Sequence, residues 1–239
     1  AMNSGKKCVA AGPGNPPVLV DETADIDLAG RGIVRGASFD NNVICTDEKE
    51  VFVVEKVADR LIETMVDEGA VLLRNHQITR LEKLILTPDR EHINRAWVGQ
   101  DASKMLREID VPFQGDPRLI ICEVPASHPF IQLEKLMPVI GICRVADVHQ
   151  GIDLAKEAEH GYRHTASMYS RNLDALHRMA CNMNCSIFVK NAPNYAGLGF
   201  GGEGYTSFTI ASPTGDGLTT ARTWTRERRC TLAGYFRIV

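Results

Sequence analysis

No stretch of this 239-residue chain approaches the roughly 20 consecutive apolar residues that a membrane-spanning helix needs, and its N-terminus lacks the charged-then-apolar order of a secretory signal. A membrane location is therefore not expected. The chain also lacks an excess of charge of either sign. Its 27 Lys and Arg stand interspersed with 30 Asp and Glu, for a net charge of −3 and a pI near 6.2. That leaves no electrostatic footprint for nucleic acid or an anionic membrane surface, and points to small molecules and other subunits as partners. A disulfide framework is missing as well. Seven cysteines is an odd number, scattered without regular spacing, so reduced thiols and a cytoplasmic setting are expected, with room for one chemically special cysteine. Nor is there a phosphate loop. The glycine groups GPGNPP (12–17) and GLGFGG (197–202) have neither the dinucleotide fingerprint nor the Lys-Ser/Thr of a Walker loop, and read as turn chemistry.

What is present is enough chain, 44% of it hydrophobic, to bury a substantial core. After a cloning scar at residues 1–4 and a Gly/Pro-rich turn over 10–26, apolar spacing predicts a helix over 24–39, a buried strand over 50–55 and a helix over 56–70 with Val57, Leu61, Ile62 and Met65 on one face. The rhythm resumes with strands over 118–124 and 137–145, a helix over 148–160, a strand over 164–170, a helix over 172–183 and a strand over 185–191. Such alternation predicts a three-layer α/β/α fold with a largely parallel sheet. Residues 87–114 are charged and helical in pattern and read as an excursion from the sheet. From residue 191 the chain turns rich in Gly, Pro, Ser and Thr, followed by a basic helix over 220–229 and a final strand over 230–239 that could pair with another subunit or domain. The expected division is a catalytic domain over 5–200 and a C-terminal segment over 201–239.

Few residues carry chemistry. Cys45 follows the turn residues Asp40, Asn41 and Asn42 and precedes a charged cluster, Asp47 to Glu50. It can be either a buried small hydrophobe or a loop-borne nucleophile, in which case the sulfur is expected partly exposed at the C-terminal side of the sheet and first among the seven thiols to be alkylated. Cys181 and Cys185 are four apart, a spacing a metal could use, but no second ligand pair stands nearby, and packing is the reading; no metal site is expected. Of seven histidines only His164, heading a strand, is a candidate, and it can equally be a structural strand-end residue.

Three motifs carry a resemblance to the CoA-acylating aldehyde dehydrogenases of the propanediol- and ethanolamine-utilisation type. AAGPGNPPVLVDETADI (10–26) is similar to the segment where the wider superfamily has a Glu-Leu-Gly-Gly-Lys turn. GASFDNNVICTDEK (36–49) looks like the nucleophile segment, and EKLMP (134–138) matches the family's Glu-x-x-x-Pro. Further matches are GYRHTASMYSRN (161–172), GFGGEGYTSFTIASPTGDGLT (199–219) and RERRC (226–230). The resemblance implies Cys45 as nucleophile, Glu134 on the nicotinamide ribose, and His164 and Asn42 lining the active site. It implies NAD and coenzyme A as cofactor and co-substrate, a short-chain aldehyde such as propionaldehyde or acetaldehyde as substrate, a homo-oligomer, and enclosure within a bacterial microcompartment, with its shell as a partner. Hydrolytic relatives hold a water-activating glutamate where Ala11 stands, so the thioester is left for CoA. The resemblance further implies that this chain is the C-terminal half of such an enzyme, inactive alone for want of most of the cofactor-binding half. The alternatives are a phosphorylating or hydrolytic semialdehyde dehydrogenase, and a non-catalytic assembly module of the same fold.

Overall fold

Seven parallel strands make the sheet of this computed structural model, which describes residues 1–234. They are β1 (Pro17–Val20), β2 (Glu50–Val54), β3 (Ala70–Leu73), β4 (Leu119–Glu123), β5 (Val139–Val145), β6 (Thr165–Tyr169) and β7 (Ile187–Lys190), in the spatial order β3-β4-β5-β2-β1-β6-β7. Val51 is the register partner of Val18 on one side and of Ile142 on the other. Successive strand residues point to opposite faces, and both faces are apolar, which is why the strands read as continuous apolar runs rather than alternating ones. Val18, Val20, Val51 and Val53 face one helical layer, while Leu19, Phe52 and Val54 face the other.

The first layer is α1 (Ile26–Ala37) and α2 (Glu55–Asp67), and the second includes α3 (His76–Ile85), α4 (Ala102–Glu108), α6 (Val148–Ala158) and α7 (Leu173–Met183); a single turn, α5 (Pro129–Gln132), leads toward β5. Helix α1 forms despite three internal glycines, each costing about 1 kcal/mol of helix propensity. Asp25 caps it by accepting a hydrogen bond from the Leu28 N–H, and its glycine face lets it lie close on its neighbours. Helix α2 buries Ala58, Leu61, Ile62 and Met65. The three-layer parallel architecture is the one expected.

Several elements depart from the sequence reading. The Gly/Pro-rich segment contains β1, a central and fully buried strand, because Pro17 stands at its first position, where a missing N–H is tolerated. Strand β3 and helix α3 were not anticipated. The excursion 87–114 does leave the sheet, holding one 3₁₀ turn (Arg95–Trp97) and α4. The basic helix over 220–229 shrinks to a 3₁₀ turn, Ala221–Trp224. Its threonines bond locally instead, Thr220 and Thr223 exchanging cap hydrogen bonds and Thr225 Oγ1 donating to the Arg222 carbonyl. No strand forms over 230–234, and the rest of the expected terminal strand, 235–239, lies outside the described residues. A short antiparallel pair, β8 (Ile210–Ala211) and β9 (Gly217–Leu218), packs Ile210 with Ile187, Val189 and Leu198. Among the described residues no helix is long and apolar enough to cross a membrane.

Gly32 shows how tightly α1 is seated, since a methyl group there would stand 2.2 Å from the Tyr169 hydroxyl, a fully buried side chain. Replacing a helical glycine by alanine ordinarily stabilises by up to about 1 kcal/mol, but overpacking costs about 1–3 kcal/mol. Gly32→Ala is therefore expected to lower the thermal midpoint by a few degrees in calorimetry. An unchanged or raised midpoint would mean that the α1 seat is not close-packed.

Candidate active site

Residues from four strand starts meet at one edge of the sheet. Gly14 precedes β1, Cys45 precedes β2, Glu134 precedes β5 and His164 immediately precedes β6. Those four strands are consecutive in the order β5-β2-β1-β6, so residues far apart in sequence come together at their N-terminal ends. The sulfur was expected at the opposite, C-terminal side. It cannot lie there, because the chain passes from the end of α1 through Cys45 into the first residue of β2 five positions later. A cleft of about 710 Å³ does open at the C-terminal side, lined by residues that include Arg74, Glu82, His128 and Arg144, but none of the four site residues reaches it.

The turn that carries Cys45 is built by left-handed backbone. Asp40, Asn41 and Asn42 have φ of 44°, 52° and 62°, a run that Asp and Asn tolerate better than other non-glycine residues. Asn41 Nδ2 donates to the Gly99 carbonyl and to Asp101 Oδ1. Asn42, expected to line the active site, is instead fully buried: its Nδ2 donates to the carbonyls of Ala37 and Glu48 at 2.8 and 2.9 Å, so the amide closes the turn from within. Cys45 itself is partly exposed, as expected of a loop-borne thiol.

Gly14 is the contact point between the Cys45 segment and His164. A Cβ at Gly14 would stand 2.9 Å from the Cys45 carbonyl oxygen and 2.9 Å from His164 Cγ, so only glycine allows this approach. The Gly14 N–H faces the Glu134 carboxylate. His164 is fully buried; its Nδ1 lies 2.9 Å from Thr165 Oγ1, and its Nε2 has no hydrogen-bond partner. Burial, and secondarily the Lys49 ammonium, push its pKa down to about 4, which keeps the imidazole neutral.

The charged cluster after Cys45 is not a solvated face. Thr46, Asp47, Glu48, Lys49 and Glu50 are all fully buried. Lys49 Nζ donates to the Asn42 carbonyl, to Asn42 Oδ1 and to the Ile44 carbonyl, at 2.9, 2.7 and 2.9 Å. Lys135 Nζ donates to the carbonyls of Lys49, Phe130 and Leu133. Burial raises the Asp47 carboxyl to about 7 and the Glu48 carboxyl to about 8, and lowers Lys135 to about 8. Glu48 accepts a hydrogen bond from the Asn194 N–H and fills the space beside Gly36. The Cys45 thiol is raised above its usual range by burial and by the Glu134 carboxylate, with Lys49 pulling the other way. Cys181 and Cys230 are more exposed than Cys45. Cys181 packs beside the His177 ring, and the partly buried Cys185 donates to the Ile187 carbonyl.

A partly exposed thiol, a neutral imidazole with a free ring nitrogen and a partly exposed carboxylate can together take an electrophilic carbonyl and a hydroxylated cofactor. The Glu134 carboxylate suits the nicotinamide-ribose end of a dinucleotide, as an acceptor for ribose hydroxyls, while the unpartnered His164 Nε2 is buried. Among the described residues no glycine-rich strand-to-helix turn is present for its pyrophosphate.

Residues 1–218 match the aldehyde dehydrogenase family, to which the chain belongs. The acetaldehyde dehydrogenase (acetylating) EutE of Salmonella typhimurium is 49% identical over 99% of this chain and 52% of its own length. The propanal dehydrogenase (CoA-propanoylating) of the same organism is 46% identical over 99% of this chain and 51% of its own. A crystal structure of the Rhodopseudomonas palustris propionaldehyde dehydrogenase with bound propionyl-CoA superposes with a TM-score of 0.93 at 45% identity, covering 97% of this chain and 51% of that one. The chain thus spans about half the length of these relatives.

His164 offers a pH test of this burial. A folded pKa of about 4, below the ordinary value of 6.5, means that the unfolded chain takes up the proton first as pH falls. Stability is therefore lost from about pH 6.5 down to about pH 4, amounting to about 2 kcal/mol at pH 5. Denaturant unfolding of wild type and His164→Gln should diverge by that amount between pH 7.5 and 5, with the variant losing less; parallel pH curves would contradict a buried neutral His164.

Proposed function

We propose that this chain is the nucleophile-bearing C-terminal half, with a catalytic domain over 5–200, of an NAD-dependent, CoA-acylating dehydrogenase of short aldehydes such as acetaldehyde and propionaldehyde. The observation that carries the reading is the meeting of Cys45, Glu134 and His164 around Gly14 at one sheet edge, in a chain nearly half identical to acetylating and propanoylating enzymes.

In this reading the Cys45 thiolate attacks the aldehyde carbonyl carbon, forming an S–C bond while the carbonyl electron pair moves onto oxygen. A bound NAD would supply the acceptor for the hydride that leaves that carbon as the thioester forms on Cys45, and Glu134 would hold the cofactor by accepting hydrogen bonds from its ribose hydroxyls. The CoA thiolate then bonds to the thioester carbon and Cys45 departs as thiolate, which restores the enzyme. Drawing a proton from a thiol of pKa about 8.5 onto an imidazole of pKa about 4 is uphill by roughly 6 kcal/mol, so His164 acts as a hydrogen-bonding contact to the incoming thiol rather than as its base. Ala11 is exposed, three residues before Gly14, and offers no carboxylate to activate water. The acyl group is thereby kept for CoA.

Support for the acceptor comes from relatives: solved structures of propionaldehyde dehydrogenase hold propionyl-CoA, or CoA with an acylated cysteine, and an engineered glycolyl-CoA reductase holds NADP⁺. A further relative comes from a Clostridium phytofermentans fucose-utilisation microcompartment. We extend that setting, and homo-oligomeric assembly, to the enzyme this chain belongs to.

The test is made on a complete enzyme carrying this chain, with aldehyde, CoA and NAD or NADP, following reduced cofactor by absorbance and products by mass. Cys45→Ala should lower kcat by ~10³-fold or more, and Ala11→Glu should raise the ratio of free acid to acyl-CoA. A fully active Cys45→Ala enzyme would overturn the reading, and phosphate or water outcompeting CoA in the parent enzyme would replace the acceptor.

A further inference from the structure

Lys49 holds the turn that carries the sulfur. The left-handed run at Asp40, Asn41 and Asn42 ends on the fully buried Asn42, while Ile44 is half-buried and its carbonyl already accepts from the Asp47 N–H. An unpaired buried carbonyl is costly, and the Lys49 ammonium, with three N–H donors, supplies the Asn42 carbonyl and Asn42 Oδ1 and adds a second bond to the Ile44 carbonyl. All three donors are spent on neutral oxygens of the segment 42–44, adjoining Cys45. No carboxylate hydrogen-bonds to Lys49 among the described residues, so its positive charge is not consumed in a contact ion pair and acts on the turn itself.

A second ammonium extends the arrangement. Lys135 Nζ donates to the backbone carbonyl of Lys49 at 3.1 Å and to those of Phe130 and Leu133 at 2.7 and 3.1 Å. The Cys45 turn is therefore joined through Lys49, and then through Lys135, to the loop that presents Glu134. Two flexible side chains, fully buried, connect the two groups that the reaction uses most directly.

We propose that Lys49 is a positioning residue for Cys45: its buried ammonium fixes the turn that presents the sulfur and supplies the positive charge that favours the thiolate, while Lys135 locks the same segment to the Glu134 loop. The proposal deepens the function proposed above and rests on it for its catalytic meaning. Other charges bear on the same sulfur. Asp47 comes from the lead-in to β2 and Glu134 from the loop before β5; around Lys49 itself stand Glu50, at the head of β2, and His164, neutral near pH 7, just before β6. Glu134 and Asp47 oppose the thiolate, and Lys49 is the cation that favours it. Glu50 and Lys135 act mainly on each other.

The test reads the rate at which Cys45 is alkylated by iodoacetamide as a function of pH, by peptide mapping of the full chain, with unfolding measured in parallel. Lys49→Gln keeps two N–H donors and removes the charge. It should move the inflection of the Cys45 profile up by about one pH unit and slow labelling at pH 8 by roughly tenfold, with labelling of exposed Cys181 unchanged. Lys49→Arg, which keeps the charge, should hold the inflection within a few tenths of a unit of wild type even if the turn is less well seated. A Lys49→Gln profile that overlays wild type overturns the proposal. Where Lys49→Gln does not fold, an upward shift of the inflection in Lys49→Arg of the size expected on losing the charge overturns it, and retention of the wild-type inflection sustains it. Activity of Cys45→Ala bears on the proposed function alone, so the two can fail separately.

Discussion

Four ionisable residues in succession, Asp47 to Glu50, are driven below the surface of this protein, and most of the site follows from how that burial is met. Isolating a charge from water costs several kcal/mol even after relaxation, and a folded chain answers by neutralising the group or by surrounding it with partners. Both answers are present. Asp47 and Glu48 move toward the protonated form near neutral pH. Lys49 and Lys135 spend every donor on backbone or amide oxygen. The cationic pins and the weakly ionised carboxyls together give the Cys45 segment a fixed shape without a direct ion pair.

The sheet supplies the rest. With β5, β2, β1 and β6 side by side and parallel, everything that immediately precedes these strands shares one edge. Gly14, Cys45, Glu134 and His164 are placed by four separate segments, and the contact of Gly14 with both His164 and the Cys45 carbonyl sets how near two of those segments can come. A parallel sheet with helices on both faces buries its strands on both sides, so this edge is where reactive groups find access without breaking the core. Here that edge is the N-terminal one, opposite to the usual placement of ligands in open α/β sheets.

The alternation of helices and strands was legible because periodicity and apolar run length are local properties. The faces of α1 and α2, the buried run of β2 and the strands β4 to β7 all stand where the spacing of Val, Ile and Leu predicts them. Strand β1 escaped notice because its prolines and flanking glycines carry the signature of a turn. The basic stretch at 220–229 misled in the other direction, since its threonines found backbone partners close by. Cys45 and His164 were visible as candidates, but their surroundings were not. Asn42 looked like a loop residue open to substrate, whereas its amide is needed inside the turn. Lys49 and Lys135 gave no sign at all, because charged residues beside a turn are ordinarily solvated.

The sequence by itself determined the layered parallel α/β class, the standing of Cys45 as a candidate thiol after a turn, and that its glycine groups lack a phosphate-loop spacing. These follow from composition and short-range spacing, which act through a few residues at a time. Tertiary structure alone decided which edge carries the site, that the charges from Asp47 to Glu50 are buried, that Asn42 braces the turn, and that Lys135 reaches the carbonyl of Lys49 across 86 positions of sequence. Those outcomes depend on which strands become neighbours, and strand order is set by packing over the whole chain rather than by any local stretch of it.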